Sequence, residues 1–279
     1  MIRRAETRAD FELCATINNA VHPDRAVGVD QLAEAKGAFF VHGSEGYAYV
    51  DRSSIPDSAF AMLRVLREAR RHGVGGELLA AAREQARDIG FAAMWGRVAE
   101  ADEESLRFVE RRGFEEVTRD VEVLLELVAG DGEIAPGIVE LAELHRLGAY
   151  AVAAECVPEM ALPQHAEVEP FDAWREREEQ NSPVAFVALD GDDVVGYARL
   201  YELSAYPGRL ENGLTAVLKT HRRRGIATAL KRAQIAWAAE HGFRELKTSM
   251  VADNDAMRAV NERLGYKPLP GWIVVRAQA

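Results

Sequence analysis

The most constraining feature of this chain is a register. Leu63 to Leu79 reads LRVLREARRHGVGGELL, and Glu211 to Lys231 reads ENGLTAVLKTHRRRGIATALK. Arg70 and Arg222, Gly73 and Gly225, Gly75 and Ala227, and farther on Gly113 and Gly265, all stand 152 residues apart. One such coincidence is easy; four in the same register imply that one domain is repeated in tandem. A chain of 279 residues suits two domains of roughly 130 to 150 residues, each large enough for its own core. The stretch VAGDGEIAPG at 128–137 breaks all periodicity and reads as a linker. The expected division is therefore 1–128, a linker at 129–137, and 138–279.

Each copy has the same local grammar. In the second, Leu214 to Leu218 reads as a buried strand, followed by Thr220, three arginines and a tight Gly225-Ile226-Ala227 turn. From Thr228, a candidate cap, the pattern becomes helical, with Leu230, Ala233, Ile235, Ala236 and Ala239 as its apolar stripe. A strand that turns through small residues into a helix aims backbone N–H groups and the positive helix end at one point. With Arg222, Arg223 and Arg224 around it, this predicts an anion site for phosphate or pyrophosphate. Taken alone, either loop also fits a solvated basic turn.

The element order is the same in both halves. A short strand (Ile2 to Glu6) and helices at Asp10 to Val21 and Gly28 to Gly37 precede a hairpin, Ala38–Val41 and Tyr47–Val50. The loop-feeding strand is Phe60 to Leu66, its helix Gly76 to Ile89, then a strand Ala92 to Val98 and a helix Glu104 to Arg112 capped by Gly113. Val117 to Leu127 is expected to close the first unit, and Trp272 to Val275 the second. This order implies an α/β fold: an α+β mixed sheet flanked by helices, built twice.

Composition removes several function classes. A net charge of −11 argues against general nucleic-acid binding. No run of about 18 apolar residues is present, so no membrane span is expected, and Met1-Ile2-Arg3-Arg4 leads into a charged stretch unlike a signal peptide. Cys14 and Cys156 do not correspond between repeats and read as buried thiols of a reducing, cytoplasmic compartment. Neither shows the neighbours of a nucleophile. The seven histidines include no pair at metal-binding spacing, so no metal is expected. The run Glu176-Arg177-Glu178-Glu179 reads as a solvated helix face.

Arg222-x-x-Gly225-x-Ala227 and Arg70-x-x-Gly73-x-Gly75, each after an apolar strand, resemble the cofactor loop of the GCN5-related N-acetyltransferases. That pattern is Arg or Gln, two residues, Gly, one residue, then Gly or Ala, and the family uses it to hold the pyrophosphate of acetyl-CoA. The resemblance covers essentially the whole chain and is loosest in the initial helices. It implies two tandem acyl-CoA N-acyltransferase domains, acetyl-CoA as co-substrate, no metal, and a small-molecule amine acceptor that attacks the thioester directly. By the same resemblance the cofactor contacts are Val217, Leu218, Arg222, Arg223, Arg224, Gly225, Ile226, Ala227, Thr228 and Asn254 in the second unit. In the first they are Arg70, Arg71, Gly73, Val74, Gly75 and Gly76. Asn254 reads equally well as a plain helix cap, as does Asp102, its counterpart.

Acetyl transfer to an amine also needs a base, because a free alkylamine has a pKa of about 10 and is mostly protonated at neutral pH. Glu211 stands six residues before Val217, the family's spacing for a catalytic glutamate; its plain alternative is a solvated strand-edge residue. Subtracting 152 gives Ala59, so only the second unit offers a carboxylate there. The backbone N–H of Val217 is the expected donor to the thioester carbonyl. The tyrosine that many members place five residues before the last aromatic is absent: those positions are Asn261 and Val109. Solvent, Tyr201 or Tyr206 would then protonate the thiolate. The second unit is accordingly expected to be catalytic and the first a scaffold. An acyl-CoA sensor without turnover, or catalysis in the first unit, are the alternatives. The repeat also makes a monomer that imitates a dimer, or a homodimer, the expected assembly.

Overall fold

A computed structural model describes residues 2–53, 57–128, 130, 134–159, 169–179, 182–202 and 206–279. They form two compact units. The first comprises β1 (Ile2–Arg4), α1 (Arg8–Val21), α2 (Val29–Ala33), β2 (Ala38–His42), β3 (Gly46–Asp51), β4 (Ser58–Val65), α3 (Val74–Asp88), β5 (Ala93–Ala99) and α4 (Glu103–Glu110). Next come β6 (Glu115–Glu126), β7 (Ile138–Glu140), α5 (Arg146–Cys156), α6 (Phe171–Glu179), β8 (Val184–Asp190), β9 (Asp193–Glu202), β10 (Arg209–Val217), α7 (Ile226–Glu240), β11 (Glu245–Val251), α8 (Asp255–Arg263) and β12 (Lys267–Gln278). α1 starts earlier than its periodicity suggests, because Thr7 and Asp10 form a reciprocal capping box.

In the first unit the strand order is β1-β2-β3-β4-β5-β12, with β4 and β5 parallel. Leu78, Leu79 and Ala82 of α3 cover one face against Ala48, Ala59 and Ala61. Cys14, Ile17 and Leu32 of α1 and α2 cover the other against Phe39, Val41 and Tyr47. The second unit runs β6-β11-β10-β9-β8-β7, with β10 and β11 parallel. There α7 packs Leu230 and Ala233 on Leu200 and Leu210, while α5 and α6 bring Val152, Ala153 and Trp174 to Val187, Tyr197 and Ala216.

The closing strands are exchanged. β6 pairs antiparallel with β11, Asp120–Glu126 against Val251–Glu245, and so belongs to the second unit. β12 pairs with β5, Trp272–Gln278 against Ala99–Ala93, and belongs to the first. The units are thus the chain up to Arg119 with Trp272–Ala279, and Asp120–Gly271, where the sequence pointed to a cut at the linker. The cause is the duplication. Edges beside β5 and β11 are equivalent, and an alternating strand pattern demands a partner without naming which copy supplies it.

One irregularity of each sheet makes the site. β4 and β5 pair only over Ser58–Phe60 with Ala93–Trp95, then separate while both strands continue. β10 and β11 pair only over Arg209–Glu211 with Glu245–Lys247 and likewise part. Each unit therefore contains a fork between its parallel strands.

Candidate active site

The two loops are superimposable in their backbone logic. β4 is followed by Leu66 (φ −53°, ψ 142°) and β10 by Leu218 (φ −49°, ψ 139°), each of which leads into a single 3₁₀ turn. Arg71 and Arg223 then adopt positive φ of 67° and 64°, and Gly73 and Gly225 follow at 93° and 83°. Two left-handed residues with one residue between them curl the backbone N–H groups into a concavity, suited to an anion, at the start of α3 and α7. The helix in the second copy begins at Ile226, with Gly225 as its cap, so Thr228 lies inside the first turn rather than capping it.

Arg70 and Arg222 fold back onto the strand they follow. Arg222 Nε donates to the Val217 carbonyl at 3.1 Å, and Arg70 Nε to the Val65 carbonyl at 3.5 Å. The Leu218 N–H donates to the Val195 carbonyl at 3.0 Å and the Leu66 N–H to that of Glu45 at 2.9 Å. Alternation along a strand then turns the N–H of Val217, and of Val65, to the side of the fork. Arg224 bonds the Thr220 carbonyl at 3.2 Å and lies 3.9 Å from Asp190.

The units differ in the space they enclose. In the first, a cavity of about 820 Å³ is lined by Arg70, Arg71, Gly73, Gly75 and Gly76 of the loop and by the diverging β4 and β5. It continues through the fork to Val21 and His22 at the end of α1, with Trp272 of β12 in its wall. Arg70 at its mouth lies 3.1 Å from Glu104 and 3.6 Å from Asp102. Asp102 also caps α4 by accepting the Ser105 N–H at 3.0 Å. Its partial burial opposes ionisation, but the Ser105 hydrogen bonds and Arg70 hold the carboxyl below its usual range. At the second loop, Arg224, Gly225 and Ile226 line a smaller cavity of about 310 Å³ whose other walls include residues 136–138 leading into β7 and residues 188–190 of β8.

Glu211 sits on the last paired residue of the second fork, opposite Lys247 on β11 and Tyr201 on β9. The constant 152-residue offset fails there. β10 carries a bulge between Asn212 and Thr215 that β4 lacks. The residue paired with Trp95, as Glu211 is with Lys247, is consequently Phe60 and not Ala59. The first fork still has no carboxylate at that place. Tyr201 lies beneath the Arg199 guanidinium (3.4 Å to the ring centroid), and burial raises its phenol.

Several other singled-out residues have clear local partners. Asn254 caps α8, accepting the Met257 N–H at 3.1 Å. Tyr266 is buried and donates to Asn212 Oδ1 at 2.7 Å. Glu178 is not on a solvated face: it is buried in an ion pair with Arg199 at 2.7 Å and accepts from the Tyr197 hydroxyl. Cys156 is buried as expected, yet Arg222 lies 3.6 Å from its sulfur, a neighbour no spacing rule reveals. Sequence reasoning also missed Lys231, which replaces Leu79 of the first unit. It is fully buried without a hydrogen-bond partner, and desolvation pushes its pKa down to about 7. Among the described residues no cluster of three metal-ligating side chains occurs, and no helix is long and apolar enough to cross a membrane.

The acetyltransferase (GNAT) family pattern matches the chain twice, over residues 30–114 and 150–266. N-alpha-acetyltransferase 30 of Schizosaccharomyces pombe is 33% identical over 85 residues, which are 29% of this chain and 56% of that protein. The chain thus spans about half the length of this curated relative. The crystal structure of a GCN5-related N-acetyltransferase from Sphaerobacter thermophilus is similar in fold over 100% of this chain and 95% of its own, with a TM-score of 0.79 at 18% identity. A tandem GNAT protein from the clavulanic acid biosynthesis pathway is similar over 100% and 98%, with a TM-score of 0.79 at 19% identity. With the family's pattern matched in both halves, each built on the same forked sheet and glycine-turn loop, the chain belongs to the acetyltransferase (GNAT) family and carries its domain in tandem.

Proposed function

We propose that the protein transfers an acetyl group from acetyl-CoA to a primary amine of a small molecule, and that acyl-CoA is seated in the first unit. One observation carries this seating: the 820 Å³ cavity that starts at the Arg70–Gly76 loop and passes through the fork between β4 and β5. The residues fit the ligand. The loop's N–H groups and Arg71 suit a diphosphate, and the cavity lies within the size range of small-molecule sites. The Val65 N–H faces the fork, where it would meet a thioester carbonyl as its oxygen gains charge. Acetyl-CoA supplies the activated acyl group; the protein orients it and receives the amine's proton.

In the first unit the proton acceptor must come from outside β4, since Phe60 occupies the position of Glu211. Asp102 and Glu104 are held by Arg70 at the loop end of the cavity. His22 lines the opposite end, and an imidazole there takes the proton from the incoming ammonium. A second reading places turnover in the second unit, as the sequence suggests; Glu211 at the base of that fork favours it. Calorimetric titration of acetyl-CoA and CoA release over an amine panel, with Arg70→Glu and Arg222→Glu, decide between them. Loss of binding and turnover in Arg70→Glu alone supports the first unit, and loss in Arg222→Glu alone moves the reaction to the second. Binding with no release for any amine favours a sensor.

A further inference from the structure

Arg64 stands on β4 opposite Tyr47 of β3, on the face of the sheet covered by α1 and α2. It is in the wall of the first unit's cavity, beyond the fork as seen from the loop. One of its terminal nitrogens donates to the neighbouring Leu63 carbonyl at 3.1 Å. Its Nε is inaccessible and has no partner. Among the described residues no carboxylate pairs with it, whereas the buried Arg199 is matched to Glu178 at 2.7 Å; Arg64 itself is half-buried. A second cation, Arg25, also acts on it, and the Arg25 guanidinium lies 4.4 Å from the centroid of Trp272. Trp272 and His22, 5.7 Å apart between ring centroids, both line the same end of the cavity. Burial disfavours the charge on Arg64, the Tyr47 phenol opposite partly offsets this, and Arg25 adds to it. A desolvated guanidinium without a counter-charge is costly, and its planar fork of donors matches a carboxylate or a phosphate.

We infer that this end of the cavity binds an anionic group, gripped by Arg64 with Arg25 beside it, and that the amine acceptor therefore carries a carboxylate or a phosphate. The loop cations around Arg70 serve the cofactor's diphosphate at one end; Arg64 serves the acceptor at the other. The amine of a small amino acid or aminoalkyl phosphate held this way points back toward His22 and the fork. This inference rests on the seating of acyl-CoA in the first unit.

The test uses the full chain with acetyl-CoA and matched pairs of acceptors: L-amino acids against their decarboxylated amines, and aminoalkyl phosphates against the corresponding amino alcohols. CoA release is followed together with tryptophan fluorescence of the acetyl-CoA complex, which reports binding even without turnover. The expected result is a preference for one anionic class of ten- to a hundredfold in kcat/KM or affinity, carried mostly by KM. Arg64→Gln should erase it and Arg64→Lys restore part of it, with the affinity for acetyl-CoA unchanged in both variants. The class that responds identifies the anion. The inference is overturned if uncharged amines match their anionic partners, or if the preference survives Arg64→Gln. It is equally overturned if no anionic amine binds below about 10 mM, or if Arg64 instead favours succinyl-CoA over acetyl-CoA. If Arg70→Glu leaves acetyl-CoA affinity intact, the seating itself is wrong; if it abolishes affinity while Arg64 has no effect, only the anion assignment falls.

Discussion

Gly73 and Gly225 hold φ of 93° and 83°, and a methyl group built on either meets no atom within 4 Å. The requirement for glycine there is purely one of backbone conformation. Gly225→Ala should lower stability by about 1–2 kcal/mol, read as a lower urea midpoint at unchanged slope; a change below about 0.3 kcal/mol would contradict the left-handed turn. Lys231 makes the opposite case. Its folded-state pKa of about 7 lies below the ordinary 10.5, so between these values the unfolded chain binds more protons and stability rises with pH. The penalty is full below pH 7 and vanishes above about 10.5, with a slope of at most about 1.4 kcal/mol per pH unit. Lys231→Leu, which copies Leu79, should raise the melting temperature most at pH 6–7 and little at pH 10. An equal gain at both pH values would show that the lysine is not desolvated.

At the scale of elements, the bulge in β10 decides which residue stands at the fork. It is accommodated by Gly213, where a Cβ would meet Arg199 Cγ and Tyr201 Cδ2, each at 3.0 Å. Gly213→Ala should displace Tyr201 from Arg199 and cost about 1–3 kcal/mol, measured by chemical denaturation. The loops show a second size exchange. A Cβ on Gly75 would lie 3.0 Å from the Phe108 ring, while the second copy combines Ala227 with Val260. Gly75→Ala should thus push Phe108 into the cavity and weaken acetyl-CoA binding by several-fold, and Gly75→Ala with Phe108→Val should recover it. Failure of the double variant to recover would assign the loss to the loop backbone instead.

At the scale of the molecule, the exchanged strands tie the integrity of each unit to a segment from the far part of the chain. Trp272, Val274 and Val275 are buried in the first unit. Removing residues 272–279 should deprotect amides of β5 in hydrogen exchange and weaken acetyl-CoA binding, although the deletion lies more than 150 residues from the Arg70 loop. Deprotection confined to β11 would show that each unit closes with its own strand. For the same reason, halves cut within 129–137 should not fold separately, each having lost a strand it needs.

The duplication, the mixed-sheet fold class and both glycine-turn loops were legible in the residues, because they depend on local periodicity and on glycines at fixed offsets. The strand expected at Ala92 to Val98 and the helix expected at Glu104 to Arg112 fall within one or two residues of β5 and α4 for that reason. Pairing register could not be read. A bulge shifts a strand by one residue without altering its composition, so Glu211 was matched to Ala59 when its neighbour across the repeat is Phe60. Partner choice was equally hidden, since two copies of one domain present interchangeable edges to β6 and β12. Burial of single charges was the third thing only folding settled. Glu178, Lys231 and Arg64 look like ordinary surface residues in the chain, and their environments are set by helices and strands distant in sequence. The sequence by itself determined what each half can build; the tertiary structure decided how large a cavity each loop borders among the described residues, because void space is a property of packing between elements and leaves no mark in any one of them.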